Sequence, residues 1–328
     1  MTGAGRFQGT RVVVTGAGGF IGGAVCAALV AERASVAGLD VSVGAAERVA
    51  GVGAEPFVAD VSDRGAVAVA LDGAEIVVHA AAHVHEWGSM EEFVRVNVAG
   101  TAAMLDAARE AGVDRFVQIS SVVVYGYDHA GEQDEDVFRR AYGIPYIDTK
   151  SASDRLAARR GAVVIRPGDV YGPRSIPWIV RPLELARRGA LAVPSPGDGV
   201  MLPVYIDDLV EAVLLGADAG LPGRAYAAWE GTPVAFADDL ARIAEIAGGA
   251  APRTLPRPIL EAAGAATELV ARLRGRTPAF TSRAPAFVDR RGTVSTERIR
   301  TELGWEPQVG LAEGLRRSAE WARAEGLA

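Results

Sequence analysis

A valine-rich run, Arg11–Thr15, passes directly into Gly16-Ala17-Gly18-Gly19-Phe20-Ile21-Gly22 and then into a helical pattern reaching about Glu32. Strand, glycine turn and helix in that order constrain the fold more than any other stretch. One glycine permits a tight turn, another lets backbone approach an anion, and the last lets helix and strand pack closely. The alternation continues down the chain. Ser35–Asp40, 55–59, 75–81, 114–120 and 162–166 read as strands, and 91–111 and 146–160 as helices. Ser62 or Asp63 is placed to cap a helix between them, and Gly112 to end the long one. Strands separated by helices of this length predict right-handed crossovers, hence an α/β chain with a Rossmann-type doubly wound parallel sheet.

Beyond Pro167 prolines and glycines become frequent, and helical patterns are separated by irregular stretches. The expected organisation is a dinucleotide-binding domain over residues 1–166 and a smaller, mainly substrate-binding lobe over 167–328. Segments of that lobe should return to the sheet, since 225–229 still reads as a strand. The alanine-rich amphipathic segment 262–273 reads as lobe packing rather than a membrane-surface helix. A chain of 328 residues suits this arrangement. No apolar run reaches the roughly twenty residues of a membrane span, and no signal peptide is read at the N-terminus. The single cysteine, Cys26, cannot form an intrachain disulfide, which fits a reducing cytoplasm. A net charge of -7 argues against nucleic-acid binding.

Two parts of the chain carry chemistry. At the first, Gly16, Gly18, Gly19, Phe20, Ile21 and Gly22 form a turn whose helix N-terminus can face a pyrophosphate. Asp40 ends the second strand, where a carboxylate accepts the hydroxyls of an adenosine ribose and repels a 2′-phosphate. NAD is therefore expected over NADP. Asp60 and Val61, after the third strand, are placed to meet the adenine edge.

At the second, Tyr146 and Lys150 stand one helical turn apart, with Ser121 upstream. A phenol of pKa near 10 is a poor base at neutral pH, and lowering it by about three units takes ~4 kcal/mol. A close lysine and an oxidised nicotinamide are cations of the right kind to supply it. Tyr146 can then move the proton of an alcohol while Ser121 fixes the oxygen. Taken alone, a Tyr-x-x-x-Lys spacing is only an ordinary helix face.

The ordered set of motifs resembles the extended short-chain dehydrogenase/reductase family over almost the whole chain. The matching pieces are the glycine turn, Asp40, Asp60-Val61, His79-Ala80-Ala81-Ala82, Asn97-Val98-Ala99-Gly100-Thr101, Ser120-Ser121 with Val124-Tyr125-Gly126, Tyr146 with Lys150, Arg166-Pro167-Gly168, Asp207-Asp208-Leu209 and Leu303-Gly304-Trp305-Glu306-Pro307. The resemblance implies that Ser121, not Ser120, is the catalytic serine. It implies that Lys150 bonds the nicotinamide ribose and that Asn97 supports the lysine and its proton-relay water. Ala80, Ala81, Ala82, Pro167 and Gly168 are implied to border the cofactor, and a homodimer through helices 91–111 and 146–160 is expected.

Two absences bear on the branch. Sugar-nucleotide enzymes of the family usually carry Asn where this chain has Asp169, and an arginine gripping the diphosphate where it has Met201-Leu202-Pro203. The 4,6-dehydratases place Asp-Glu after the catalytic hydroxyl, and this chain has Val122-Val123. The segment from Arg166 to Pro173 looks more like the 3β-hydroxysteroid dehydrogenase and dihydroflavonol reductase-like branch. The expected activity is NAD-dependent interconversion of a secondary alcohol and a ketone on a hydrophobic or glycosidic small molecule. The alternative is a nucleotide-sugar 4-epimerase with tightly held NAD. Substrate contact is expected from His85, Trp87, Val122, Trp178 and Met201. The cluster His79, His83 and His85 lacks a matching acid or cysteine set, and no metal is expected. The acidic stretch Asp128, Glu132, Asp134, Glu135 and Asp136 reads as a solvated loop.

Overall fold

The computed structural model describes residues 5–84, 87–137, 141–278 and 280–328. Its centre is a seven-stranded, wholly parallel sheet. The strands are β1 (Arg11–Thr15), β2 (Ser35–Asp40), β3 (Glu55–Val58), β4 (Ile76–His79), β5 (Arg115–Ile119), β6 (Val163–Pro167) and β7 (Ala225–Ala228). They lie in the order β7-β6-β5-β4-β1-β2-β3. Val14 of β1 faces Gly38 on one side and Val78 on the other, and Ile119 of β5 faces Ile165 of β6. The order reverses at β1, so a crevice opens at the carboxyl ends of β1 and β4, where ligands of such sheets bind.

Side chains of successive strand residues point to opposite faces. Val12 and Val14 accordingly join one buried cluster with Cys26 and Leu29 of helix α1 (Phe20–Ala31), while Val13 joins a second with Leu39, Val77 and Met104. Covering both faces explains why the strands read as near-continuous apolar runs. Asp63 caps the helix Arg64–Ala70, accepting from the amides of Gly65 and Ala66 at 3.1 and 3.2 Å.

One expected helix differs in kind. Residues 90–110 run on as α-helix (Met90–Phe93), π-helix (Val94–Gly100) and α-helix (Thr101–Glu110). The wide turns hold buried Asn97 against the loop that precedes this helix, and Gly100 leaves room for Val61, whose Cγ2 would lie 2.8 Å from an added Cβ. A π segment is a local departure that hydrophobic period does not report.

The two halves of the chain interleave. Beyond Pro167, β7 returns to pair with β6, and the helix Ile206–Ala219 covers the sheet beside α1. In the other direction Ala130–Gln133 pairs in parallel with Arg291–Val294. The acidic stretch is thus more than a solvated loop. Glu135 is buried, and Asp136 is bidentate with Arg298 at 2.8 and 3.1 Å. Short pairs, Asp169–Tyr171 with Pro203–Tyr205 and Val200–Met201 with Val234–Ala235, frame the smaller C-terminal region. The segment 262–273 belongs to the helix Arg257–Arg274, which buries Leu260, Gly264 and Ala271 and leaves Leu269 and Leu273 exposed. Among the described residues no helix is long and apolar enough to cross a membrane.

Candidate active site

The glycine turn forms a cradle that a side chain would fill. Gly16 has φ +67°, and an added Cβ would lie 2.9 Å from the Ala81 backbone; one on Gly22 would lie 2.2 Å from the Gly16 carbonyl oxygen. Gly19 begins α1 without a side-chain cap, and no acid stands in its first turn. The helix N-terminus therefore keeps its amides for an outside anion. Thr15 Oγ1 accepts from the Ala81 amide at 3.1 Å and bonds His79 Nδ1 at 2.7 Å, tying β1 to the Ala80-Ala81-Ala82 segment. Burial, then the charge of Lys150, hold His79 down to about 3, so its ring is neutral.

Asp40 turns its carboxylate onto this loop, accepting from the amides of Gly18 and Ser42 at 3.0 Å each. Each oxygen keeps lone-pair capacity for a ribose hydroxyl. Turn, free amides and carboxylate together fit a dinucleotide with an unphosphorylated adenosine ribose. Arg48, unremarked in the sequence, also reaches the loop and donates to the Gly18 carbonyl at 3.2 Å. Asp60 is folded back instead onto Ser62 (2.7 and 2.9 Å) and Arg95 (3.3 Å), bonds that lower its pKa, while Val61 is buried.

Ser121 follows β5 and caps a 3-10 turn, Val122–Tyr125. Tyr146 and Lys150 project from helix Pro145–Arg159. The helix that carries Tyr146 packs on the turn that Ser121 caps, whereas Ser120 donates to Asp154. The two adjacent serines thus have separate roles. Desolvation pushes Tyr146 up to about 12; the Ser121 hydroxyl opposes this, and the charge of Asp169 adds to it. Lys150 is buried, donates to the Ile119 carbonyl at 2.8 Å, and is pushed down by burial to about 8 against the pull of Asp154. Among the described residues no hydrogen bond joins Asn97 to Lys150. Its amide group bonds the His83 backbone (2.6 and 3.1 Å) and Thr149 Oγ1 (3.1 Å), fixing the helix one residue short of Lys150.

Under this group lies a network whose roles were not read from sequence. Arg166 and Asp154, both fully buried, form a two-pronged ion pair at 2.7 and 2.8 Å, and Arg166 also donates to the Tyr125 hydroxyl at 2.7 Å. It joins the ends of β5 and β6 to the Tyr146 helix. The available signal was a carboxylate four residues past Lys150, on the face turned inward.

The expected substrate contacts separate. Trp178 stands in an aromatic wall with Phe236 and Phe287, at ring distances of 5.7 and 5.5 Å, and Tyr127 meets Phe287 edge-on at 5.2 Å. Met201 and Val122 are buried in the main core, Met201 1% exposed. Trp87 carries the guanidinium of Arg272 over its ring at 5.1 Å. His85 lies outside the described residues. Pro167 is buried, and at Gly168 an added Cβ would lie 2.1 Å from the Leu202 carbonyl. Asp169 accepts from the Leu202 amide at 2.8 Å and is ion-paired with buried Arg290.

Comparison with known proteins agrees with this architecture. The model of the NAD-dependent epimerase/dehydratase family matches residues 12–228. A 2-alkyl-3-oxoalkanoate reductase of Stenotrophomonas maltophilia is 31% identical, over 94% of this chain and 98% of that protein. A dTDP-glucose 4,6-dehydratase of Streptomyces griseus is 33% identical, over 95% and 94%. The structure of MoeE5 in complex with UDP-glucose and NAD superposes with a TM-score of 0.76 at 25% identity, covering 96% of this chain and 99% of that one. The chain is an enzyme of the NAD-dependent epimerase/dehydratase family, the extended short-chain dehydrogenases/reductases.

Proposed function

We propose that the protein is an NAD-dependent oxidoreductase interconverting a secondary alcohol and a ketone on a hydrophobic small molecule, nearest in kind to the hydroxysteroid dehydrogenase-like branch. The carrying observation is the packing of the Tyr146 helix on the turn that Ser121 caps, with buried Lys150 one turn along the same helix. The dinucleotide, held by Gly16, Gly19, Gly22 and Asp40, would supply a hydride acceptor or donor. Ser121 fixes the substrate oxygen, and Tyr146 takes its proton in oxidation or returns it in reduction. Burial pushes the Tyr146 phenol up to about 12, against which the Lys150 ammonium and a bound oxidised nicotinamide would favour the phenolate. Tyr127, Trp178 and Phe287 offer ring faces to an apolar substrate. The lobe's buried arginine, Arg290, is paired with a carboxylate of the chain itself, Asp169, and donates to the Val200 carbonyl. A sugar diphosphate would have to break that pair. The 31%-identical oxoalkanoate reductase supports the same reading.

The test begins by denaturing the purified enzyme and assaying the supernatant for NAD. The enzyme is then offered NAD with long-chain and cyclic secondary alcohols, with 3-oxoacyl compounds plus NADH, and with UDP- and dTDP-glucose. Nicotinamide reduction in step with alcohol consumption is expected. Turnover of a sugar nucleotide on co-purified NAD, with no net change in added cofactor, would replace this reading by an epimerase or dehydratase.

A further inference from the structure

Asp169 and Arg290, far apart in sequence, meet in the C-terminal region with side chains only 4% and 5% exposed. Arg290 is held on every side. Its Nε donates to the Val200 carbonyl at 2.8 Å, its Nη2 to Asp169, and its guanidinium lies 4.5 Å from the Phe287 ring centre and 5.5 Å from that of Phe236. Asp169 is equally fixed, bonding Leu202 through both backbone and side chain. It begins two residues beyond β6, while Ser121 begins two beyond β5. These strands are neighbours in register, Ile119 facing Ile165, so serine and aspartate emerge at one edge of the sheet. The helix that carries Tyr146 packs on the turn that this serine caps.

We propose that Arg290 is a positioning residue of the catalytic site: by pairing with Asp169 it cancels a fixed negative charge that would otherwise oppose ionisation of Tyr146. The inference rests on Tyr146 being the proton-transferring group. A buried carboxylate beside a phenol that must ionise is a liability, because like charges in a poorly solvated site disfavour each other. Asp169 does act on Tyr146 in that sense, raising its pKa. A neighbouring guanidinium turns the carboxylate into half of a dipole, and its aromatic sandwich couples that dipole to the substrate wall. The other charged groups around the tyrosine are accounted for. Lys150 is on its own helix with neutral His79 behind it. Asp154 is neutralised by Arg166, which also bonds Tyr125. Asp239 is buried and feels the charges of Arg242, Asp169 and Glu230.

The test needs no substrate. Difluorotyrosine, whose phenol ionises nearer neutrality, is incorporated biosynthetically, and the 19F resonance of position 146 is assigned by its loss in Tyr146→Phe. Its titration midpoint is followed with and without NAD⁺ in the wild type, Arg290→Met, Arg290→Lys, Asp169→Asn and the double variant Asp169→Asn/Arg290→Met. Arg290→Met is expected to raise the midpoint by about one unit, and Asp169→Asn to lower it by a similar amount. The double variant and Arg290→Lys should return to within about 0.3 units of wild type. A purely structural role for the pair would leave the midpoints together in every folded variant, and that result overturns the proposal. So does a double variant that stays displaced. Should Arg290→Met fail to fold, Asp169→Asn and the double variant decide between the same outcomes. A wild-type midpoint unmoved by NAD⁺ would count against the NAD reading itself, while the comparison among variants in the free enzyme still judges Arg290.

Discussion

Asp40 shows how one side chain joins fold to selectivity. Its carboxylate holds Gly18 and Ser42 by their amides, and so shapes the turn it would share with a ribose. Asp40→Asn keeps the size while removing the charge that repels a 2′-phosphate. The ratio of NADP to NAD dissociation constants, measured by calorimetry, is expected to fall at least about tenfold, roughly 1.4 kcal/mol. An unchanged ratio would assign discrimination elsewhere, with Arg48 beside Gly18 the first place to look. The place of Asp40 at the glycine turn was legible because it needs only a strand end and that turn close in sequence. Asn97 was legible as a residue but not in its partners. Those depend on a π segment and on a loop that only the folded chain brings to it.

At the scale of elements, the helix Pro145–Arg159 is anchored from below by Asp154. That residue receives two bonds from Arg166 and one from Ser120 with no exposed surface. Removing one partner of such a pair leaves an uncompensated buried charge, at a cost of about 3–5 kcal/mol. Asp154→Asn is therefore expected to lower unfolding free energy by that order in urea titrations, and a loss under about 1 kcal/mol would show that the pair is replaceable. The helix itself was readable from its period, and the strands from their apolar runs, because a sheet covered on both faces demands them. Arg166 stood in view as part of a motif. Its partnership with Asp154 did not, since a strand end and a helix face carry no sequence mark of meeting.

For the whole molecule, the join between the two halves is where sequence reading ran thinnest. Strand return at 225–229 was visible in composition, but the pairing of Ala130–Gln133 with Arg291–Val294 and the clasp of Arg298 on Asp136 link residues nearly half the chain apart. The same region buries acids. Asp239 is 1% exposed with Oδ1 lacking a hydrogen-bond partner, and desolvation pushes it up to about 7. Between the ordinary carboxyl value and about 7 the folded chain therefore holds a proton that the unfolded chain has released. Its contribution to stability is full at low pH and lost as pH rises through that window. Asp239→Asn should raise Tm relative to wild type at pH 8, with the gain vanishing near pH 4. A gain independent of pH would contradict the assignment.

The proposed chemistry turns on one phenol, Tyr146, on the helix that the Arg166–Asp154 pair braces. The most direct measurement is Tyr146→Phe, assayed for nicotinamide reduction with whichever alcohol the wild type oxidises and, in parallel, for NADH binding by fluorescence. A fall in kcat of at least about a hundredfold is expected, the lower range for loss of a general acid–base group, with NADH affinity unchanged within about twofold. Retention of most of the turnover, with binding intact, would contradict it.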